Sequence, residues 1–508
     1  MSDPRPPRRP GRGRPGRDRH AGRGQRPTRV DRGRRDGWPR PERERPERRP
    51  AGDPRRVAYE AVAAVHRDDA YANLVLPHLI GRAALADRDA ALATELTYGT
   101  LRRRGTLDAV LAAAADRPVE RIDPPARDAL RLGAYQALFT RIPAHAAVAS
   151  TVDLVRRVHP PATGFANAVL RRVADRSLDE WIAEVAPAAT DDPVGHLAVV
   201  HSHPAWIVRA FAEALGEDLS GGGAGSQTAR ALAADNEPAP VHLCARPGRV
   251  DAVTLADEVG GSPGVFSPYA VYLPGGAPGR VRAIADGRAH VQDEGSQLVT
   301  AALAAAAVSG GPAERWLDMC AGPGGKAALL GALAAQQAAT VTAVEVAEHR
   351  ARLVAEAVSG LPVRVVRADA REVGPGEEIP PAAFDRVLVD APCTGLGALR
   401  RRPEARWRRT PADLPALTRL QRELLVAAIA AVRPGGVVAY VVCSPHVVET
   451  RVSVAEGRRR SPHRTELLDA RPLLPAGMPE LGDGPTVQLW PHRHGTDAMF
   501  LAVLRRLA

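Results

Sequence analysis

Lysine is almost absent from this chain. Lys326 is its only lysine among 69 basic residues, so arginine carries the ordinary surface charge. Arginine is a wide planar fork and lysine a compact point charge, so the two are not interchangeable in a narrow site. The single ammonium group therefore marks position 326 as a candidate ligand contact, although a lone lysine at a helix start can also arise by chance.

Cysteines and long apolar runs are also scarce, and each shortage excludes a class of protein. The four cysteines form no CxxC pair, so neither a zinc site nor a disulfide framework is favoured. We therefore expect a reduced, cytoplasmic protein without a bound metal. No apolar run reaches the roughly 18 residues of a membrane span, and the basic N-terminus lacks the apolar segment of a secretory signal. No membrane association is expected.

The positive charge is confined to one end of the sequence. Residues 1–50 contain 18 Arg against 7 Asp and Glu, which accounts for the whole net charge of +11. An Arg-, Pro- and Gly-rich segment cannot bury a core, so residues 1–52 are predicted to be a disordered tail. Such a tail can bind RNA through counterion release, or it can be a solubilising extension.

The remaining residues are predicted to form three further parts. Residues 53–176 have helical periodicity and are punctuated by proline, which is typical of a small helical bundle. Residues 177–300 contain a β-α-β-β pattern that predicts a linker and a small α+β subdomain. Residues 301–508 alternate strand and helix, which predicts a Rossmann-like, doubly wound parallel sheet with a closing antiparallel pair. Its strands are expected near 315–319, 340–346, 362–367, 384–390, 437–443, 486–490 and 498–505.

A glycine-rich loop links the first strand of this last region to its helix, in the sequence WLDMCAGPGGK at 316–326. Strand, glycine loop and helix form the arrangement that presents backbone N–H groups to a nucleotide-like ligand. The loop is not a P-loop, because Cys320 and Ala327 stand where glycine and Ser/Thr are needed. The next strand ends in Glu345, at the spacing where an acid binds ribose hydroxyls. A stabilising charge at a helix N-terminus is the alternative for Glu345.

Three of the four cysteines are predicted to lie at the carboxyl ends of strands, where α/β sheets bind ligands. They are Cys320, Cys393 in the run DAPCTG, and Cys443 in the run YVVCSP. Two thiols above a nucleotide-type site suggest covalent catalysis. A thiolate can add to C6 of a pyrimidine, which makes C5 nucleophilic toward a methyl donor. A second base must then remove the C5 proton, and Asp390 can hydrogen-bond the pyrimidine near N3.

The motifs DMCAGPGGK, RADA, DAPCTGLG and YVVCSP resemble those of the RNA 5-methylcytosine methyltransferases of the Nop2/Sun superfamily. The wider set, which includes VQDEGSQL, RRRPEARW and PHRHGTDAMF, is similar to the RsmB (Sun/Fmu) branch, which modifies 16S ribosomal RNA. The resemblance covers about residues 53–508. The loop differs from the usual family pattern at Gly322 and Ala327, and Glu345 stands where Asp is common.

The resemblance implies a site, a donor and a substrate. Cys443 would be the nucleophile and Cys393 the thiol that permits release, with Asp390 and Lys326 completing the catalytic set. The methyl donor would be S-adenosylmethionine. Its binding residues would be Cys320, Ala321, Gly322, Pro323, Gly324, Gly325, Lys326, Glu345, Asp369 and Asp390. Residues 53–176 would be an RNA-binding bundle similar to the antitermination factor NusB. No obligate protein partner is implied.

Two other functions remain open from sequence. The same chemistry could act on transfer RNA, although that branch generally lacks the helical N-terminal region. The chain could also be a non-catalytic RNA-binding protein, against which the intact Cys393, Cys443 and Lys326 argue.

Two further clusters are assigned from the sequence. The arginines at 400–409 are expected to grip RNA phosphates, with Trp407 stacking or packing, and a solvated basic face is the alternative. A metal site at His492, His494 and Asp497 is not favoured, because Arg493 and Gly495 indicate a loop.

Overall fold

The computed structural model describes residues 52–276, 278–308 and 314–508. The described residues form one compact unit. The predicted disordered tail falls outside the described residues except for Gly52. The sequence-derived boundaries at 53–176, 177–300 and 301–508 stay predictions.

The first part of the described chain is a bundle of seven helices. Asp53 caps the first helix by accepting from the Arg55 N–H, and Pro54 occupies the first helical position, where its missing N–H costs nothing. The apolar faces meet in a core that contains Leu107, Leu130 and Val155. The helices are α1 (Pro54–Arg67), α2 (Ala72–Ala83), α3 (Asp87–Arg102), α4 (Arg104–Ala115), α5 (Pro124–Phe139), α6 (Ala144–Val158) and α7 (Thr163–Ala174).

Four more helices and a small sheet follow. The helices are α8 (Leu178–Val185), α9 (Pro193–His201), α10 (Ala205–Leu215) and α11 (Gln227–Ala234). Helices α9 to α11 share a core with Leu396 and Trp490 of the last region. The sheet has the order β2-β3-β1-β4 and is antiparallel throughout. Its elements are β1 (Val241–Ala245), α12 (Ala252–Val259), β2 (Ser262–Pro263), β3 (Ala270–Leu273), α13 (Arg282–Ala285) and β4 (Ala289–Val291).

The last part is an eight-stranded α/β sheet, which confirms the predicted fold class. Its elements are α14 (Glu294–Ala305), β5 (Arg315–Asp318), α15 (Gly325–Gln336), β6 (Thr340–Val344), α16 (Glu348–Ala357), β7 (Val363–Val366), β8 (Phe384–Asp390), α17 (Ala405–Arg408), α18 (Leu414–Ala431), β9 (Val432–Val442), α19 (Arg451–Arg460), β10 (Thr465–Leu468), β11 (Val487–Gln488), α20 (Pro491–His494) and β12 (Phe500–Arg506).

The strand order of this sheet positions the site. The order is β10-β12-β9-β8-β5-β6-β7, with β11 paired to β12. Strands β9, β8, β5, β6 and β7 run parallel, and the predicted antiparallel closure is present in β12 against β9 and β11. Neighbouring side chains in β5 enter opposite cores, with Trp316 on one face and Leu317 on the other.

The connections leave β5 in one direction toward β6 and β7, and then return to place β8 on its other side. A crevice forms at such a switch point, beyond the carboxyl ends of the two central strands. Asp318 ends β5 and Asp390 ends β8, so both carboxylates reach this crevice.

Candidate active site

The glycine loop after β5 is closely packed against the end of β6. The Gly322 N–H donates to Glu345 Oε2 at 3.1 Å. A Cβ at Gly322 would lie 2.2 Å from that oxygen, so a larger residue here would require the Glu345 side chain to move. Gly324 has a φ of 112°, a left-handed conformation that side chains rarely adopt, and it leads directly into α15. The loop therefore presents the N-terminus of α15 to the crevice.

Asp318 is a fully buried carboxylate at the end of β5. Oδ1 accepts from the Cys320 N–H at 3.3 Å, but Oδ2 has no hydrogen-bond partner among the described residues. Burial, and then the charge of Asp390, raise the pKa of Asp318 to about 7. An orphaned buried oxygen of this kind is suited to a cationic ligand group. The ammonium group of S-adenosylmethionine meets that requirement.

Lys326, the second residue of α15, reaches into this crevice. Its Nζ donates to Asp390 Oδ2 at 2.8 Å, and only 14% of its side chain is exposed. Burial opposes the charge, but Asp390 outweighs it and the pKa of Lys326 is raised. The ammonium group also lowers the pKa of Cys443. The single lysine thus lies between the glycine loop and the two thiols.

Cys393 and Cys443 form a thiol pair with Sγ atoms 3.4 Å apart. They come together because β8 and β9 are adjacent and parallel, with Asp390 paired to Val441, so both strands end at the same level. Both thiols are half-buried, which leaves them accessible to a substrate.

The two thiols differ in acidity. A hydrogen bond from Cys393 is the main cause that lowers the pKa of Cys443. The same bond, burial and the charges of Cys443 and Glu449 raise the pKa of Cys393 well above its ordinary value. The pair therefore loses its first proton from Cys443, while Cys393 stays protonated as the hydrogen-bond donor.

Two other acids predicted to bind the methyl donor, Glu345 and Asp369, already accept hydrogen bonds from the protein. Glu345 is buried and accepts from the N–H groups of Gly322 and Ala347. Asp369 accepts from Arg371 through both carboxylate oxygens. Glu345 thus orders the glycine loop directly, whereas Asp369 is held at its own strand end.

Two features of the site were missed from sequence. The first is Glu449, a fully buried carboxylate beneath the two loops that follow β8 and β9 and carry Cys393 and Cys443, called the cysteine loops below. The second is a close backbone approach at Gly397, whose N–H donates to the Cys443 carbonyl at 2.9 Å and whose carbonyl accepts from the Ala498 N–H at 2.8 Å. Glu449 lies six residues after Cys443, and no sequence pattern connects the two positions.

The prediction that the arginines at 400–409 form an RNA grip, or a solvated face, is wrong for its central members. Arg406 is fully buried and donates to the carbonyls of Arg102, Ser202 and Asp235 and to Asn236 Oδ1. Carbonyl groups left without partners by helix ends provide its acceptors. Trp407 packs on the helical bundle, because a Cβ at Gly105 would lie 2.7 Å from its ring.

The histidines near the C-terminus have protein partners. His492 Nε2 lies 2.9 Å from Gln227 Oε1, and His494 Nε2 lies 2.8 Å from the Pro479 carbonyl oxygen. Asp497 accepts from Arg401 at 3.0 Å. Among the residues with assigned positions, no group of three or more His, Cys, Asp or Glu is arranged to hold a metal. In the same residues, no helix has the length and apolarity to cross a bilayer.

Comparison with known proteins agrees with this geometry. The family model for the 16S rRNA methyltransferase RsmB/F matches residues 305–505, and the NusB family model matches residues 53–175. Ribosomal RNA small subunit methyltransferase B of Pseudomonas putida is 33% identical over 429 residues, which cover 82% of this chain and 91% of the relative. The chain belongs to the RsmB/F methyltransferase family.

Other relatives support the same membership. A Mycobacterium tuberculosis relative, described as a methyltransferase with no substrate given, is 57% identical over 465 residues, 91% of this chain and 98% of the relative. The crystal structure of PH0851 superposes with a TM-score of 0.71 at 21% identity, covering 89% of this chain and 98% of that one, and shares the fold. The RsmB/F resemblance and the NusB-like helical region that the motifs predicted are both confirmed.

Proposed function

We propose that this protein transfers a methyl group from S-adenosylmethionine to C5 of a cytosine in 16S ribosomal RNA, through a covalent adduct between Cys443 and C6. The observation that carries the proposal is the thiol pair, whose Sγ atoms lie 3.4 Å apart and whose acidities diverge. Addition requires a nucleophile, and the thiol with the lower pKa supplies it; release requires a base, and the thiol with the higher pKa is the stronger base once it has lost its proton.

Addition begins with Cys443 as a thiolate. Its sulfur forms a bond to C6, and the electron pair of the C5–C6 double bond moves into the ring toward C5 and N3. Lys326 stabilises the thiolate before attack, and the Asp390 side chain hydrogen-bonds the base near N3. The cytosine must be unstacked to meet both groups, so the substrate is a single-stranded or flipped nucleotide.

The donor, when bound, supplies a methyl group on a sulfonium centre, and C5 accepts that methyl. Cys443 is now bonded to carbon and no longer accepts a hydrogen bond from Cys393. The main cause of the raised pKa of Cys393 has thereby been removed. Cys393 can then lose its proton to solvent and take the C5 proton, after which the C6–sulfur bond breaks and Cys443 leaves as a thiolate. The net products are methylcytosine, the demethylated donor and one proton.

The donor-binding residues are proposed to be Cys320 to Lys326, Glu345, Asp369 and Asp390, with Asp318 added. Asp318 belongs with them because its unpartnered oxygen lies in the same crevice. Glu345 acts by holding the loop at Gly322. The resulting cradle would orient the methyl group toward the thiol site.

Ribosomal RNA is the proposed substrate class on two grounds. Several relatives are named as small-subunit ribosomal RNA methyltransferases, and they match over most of their length. The NusB-like bundle is attached to the same unit as the thiol site, which would bring an RNA-binding surface to it.

An adduct-trapping assay tests the proposal. Wild-type protein and the variants Cys393→Ala, Cys443→Ala and Cys244→Ala are incubated with unmodified 16S RNA and S-adenosylmethionine, then separated on denaturing gels. A protein–RNA adduct is expected to accumulate only in Cys393→Ala, because addition and methylation proceed while release fails. Cys244→Ala is the matched control, since that thiol is buried in β1 and should leave turnover unchanged.

The other outcomes are equally informative. Accumulation in Cys443→Ala would reverse the roles of the two thiols. If neither variant traps RNA while the wild type binds it, covalent methylation is refuted. Bisulfite sequencing of the wild-type RNA product is a separate check, because 5-methylcytosine resists the deamination that converts unmodified cytosine. A methylated product in which every cytosine is converted would contradict the proposal.

A further inference from the structure

Glu449 is a buried carboxylate that the chemistry above does not use. Its side chain is fully buried, and it precedes α19 on the segment that follows Cys443. The carboxylate is satisfied by neutral donors: the N–H and hydroxyl groups of Thr394 and the Gln421 side-chain amide. A buried charge needs such hydrogen bonds to be tolerated.

These bonds tie Glu449 to both cysteine loops. Thr394 directly follows Cys393, and its N–H donates to Glu449 Oε1 at 2.8 Å. The Thr394 hydroxyl oxygen lies 3.1 Å from that of Ser444, which directly follows Cys443. Because the Thr394 hydroxyl donates its proton to Glu449, Ser444 is the donor in this second bond. One carboxylate thus orients the residue after each thiol.

The strand beneath the site is fixed to the same segment. The Tyr440 hydroxyl donates to the Glu449 carbonyl at 2.7 Å, and Tyr440 lies three residues before Cys443 on β9. Gln421 also donates to the Pro392 carbonyl at 2.9 Å, one residue before Cys393. Residues before and after each thiol are therefore hydrogen-bonded to Glu449 or to one of its direct partners.

We infer that Glu449 is a positioning residue that fixes the two cysteine loops at their observed separation and places its negative charge on the Cys393 side of the thiol pair. This inference rests on the proposed function, in which Cys443 attacks and Cys393 acts as the base. It assigns to a buried carboxylate the task of deciding which of two similar thiols becomes the nucleophile.

The charge of Glu449 acts on Cys393 more directly than on Cys443. It is among the causes that raise the pKa of Cys393, whereas the causes that shift the pKa of Cys443 include Lys326 and Asp390 instead. Other ionisable groups near Cys393 are Cys443 itself and Tyr440. After Cys443 has bonded to the base, Glu449 remains, so Cys393 keeps enough basicity to remove a carbon-bound proton.

Thiol titration without RNA or donor tests the inference. In a Cys443→Ser background, the rate of Cys393 alkylation by iodoacetamide is followed against pH, with peptide mass spectrometry separating Cys393 from Cys320. With Glu449 present, the midpoint is expected above about 8.5, the ordinary thiol value. Glu449→Gln is expected to lower that midpoint by about one pH unit, because a nearby like charge is removed. Glu449→Asp, which keeps the charge, should retain most of the raised midpoint.

Glu456→Gln is the matched control, since Glu456 lies on α19 and pairs with Arg459 at the surface. An unchanged midpoint in Glu449→Gln, or a Cys393 that titrates at or below the ordinary value while Glu449 is intact, would overturn the inference. The second measurement needs no substitution at Glu449, so it holds even if that variant does not fold. Because the titration uses neither substrate, its failure is distinguishable from failure of the adduct assay.

Discussion

At the scale of single residues, the Lys326 ammonium group acts on two neighbouring groups of the site. It neutralises Asp390 and favours the thiolate of Cys443. Lys326→Met should lower kcat/KM by roughly 10²-fold, the loss typical when one electrostatic donor is removed. The pH midpoint for Cys443 alkylation should rise in this variant, because a positive charge has gone and Asp390 is left unpaired.

The variant Lys326→Arg keeps the positive charge at this position but changes the shape of the side chain. Its planar guanidinium is wider than the ammonium it replaces and does not fit a pocket with little exposed space. We expect the alkylation midpoint to stay near the wild-type value while methylation remains impaired. Full activity in Lys326→Arg would show that charge alone is needed at this position.

Asp318 is predicted to lower the stability of the protein near neutral pH while providing a carboxylate for the ligand. Its folded-state pKa of about 7 lies above the ordinary value of 3.8, so the protonated form favours folding. The free energy of unfolding should therefore fall as pH rises from about 4 to 7, in protein without donor. Asp318→Asn removes this loss and should stabilise the protein at pH 8 by up to about 4 kcal/mol, since one pKa unit corresponds to ~1.4 kcal/mol.

The same substitution should abolish donor binding, which calorimetry with S-adenosylmethionine would measure. Urea unfolding at pH 5 and pH 8 gives the stability of both proteins. If Asp318→Asn lowered the free energy of unfolding by the same amount at pH 5 and pH 8, the protonation assigned to Asp318 would be contradicted. Unchanged donor affinity would remove Asp318 from the proposed binding set.

At the scale of elements, the turn at Gly397 joins three segments of the site. A Cβ at Gly397 would lie 2.1 Å from the Ala498 carbonyl oxygen and 3.0 Å from the Cys443 carbonyl carbon. Both are backbone atoms, so Gly397→Ala must displace the Ala498 segment, the Cys443 loop or the turn itself. We expect a loss of about 1–3 kcal/mol in stability and a larger proportional loss of methylation.

Gly484→Ala is the control for Gly397→Ala, since a Cβ at Gly484 would have no atom within 4 Å. Thermal melts and turnover assays on both variants provide the comparison. Wild-type turnover in Gly397→Ala would show that the close backbone approach does not hold the Cys443 loop.

Element prediction from sequence succeeded where local pattern and tertiary role agree. The buried strands β8 and β9 finish in apolar runs, at 387–389 and 437–442, that lead into turn residues, so their cysteines could be assigned to the sheet edge. Strand β10 was missed because its short run, Thr465–Leu468, is an edge strand whose burial depends on pairing with β12. Arginine at 406 was misassigned because sequence cannot show that distant carbonyl groups converge on it.

The candidate site shows the same limit. Cys393, Cys443, Lys326 and Asp390 were predicted as site residues because each lies at a recognisable motif, and the strand order brings them together. Glu449 was not, since its importance depends on contacts with Thr394 and Ser444 in two different loops. The fine division of acidity between two thiols likewise depends on a distance that no sequence pattern contains.

At the scale of the whole molecule, Arg406 connects the catalytic sheet to the helical parts. The guanidinium is buried among carbonyl groups at the ends of α3, α9 and α11, and burial lowers its pKa to about 9. Arg406→Met leaves several buried acceptors unpaired, each costing about 1–3 kcal/mol. Scanning calorimetry should then resolve separate melting of the helical bundle and the catalytic sheet, which are expected to melt together in the wild type.

Arg402→Met serves as the control, because Arg402 is exposed and lies over the Tyr71 ring at 5.7 Å. Its melting profile should match the wild type. A single unshifted transition in Arg406→Met would mean that the junction is held by other contacts.

The solitary lysine also has a practical consequence for observing the enzyme. Apart from an N-terminal amine, Lys326 offers the chain's only site for reductive methylation with isotope-enriched formaldehyde. Its labelled methyl groups would give one internal signal in a carbon-13 spectrum, located beside Asp390. Occupancy of the crevice could then be followed by nuclear magnetic resonance in a protein of this size, with a single reporter and no engineered tag.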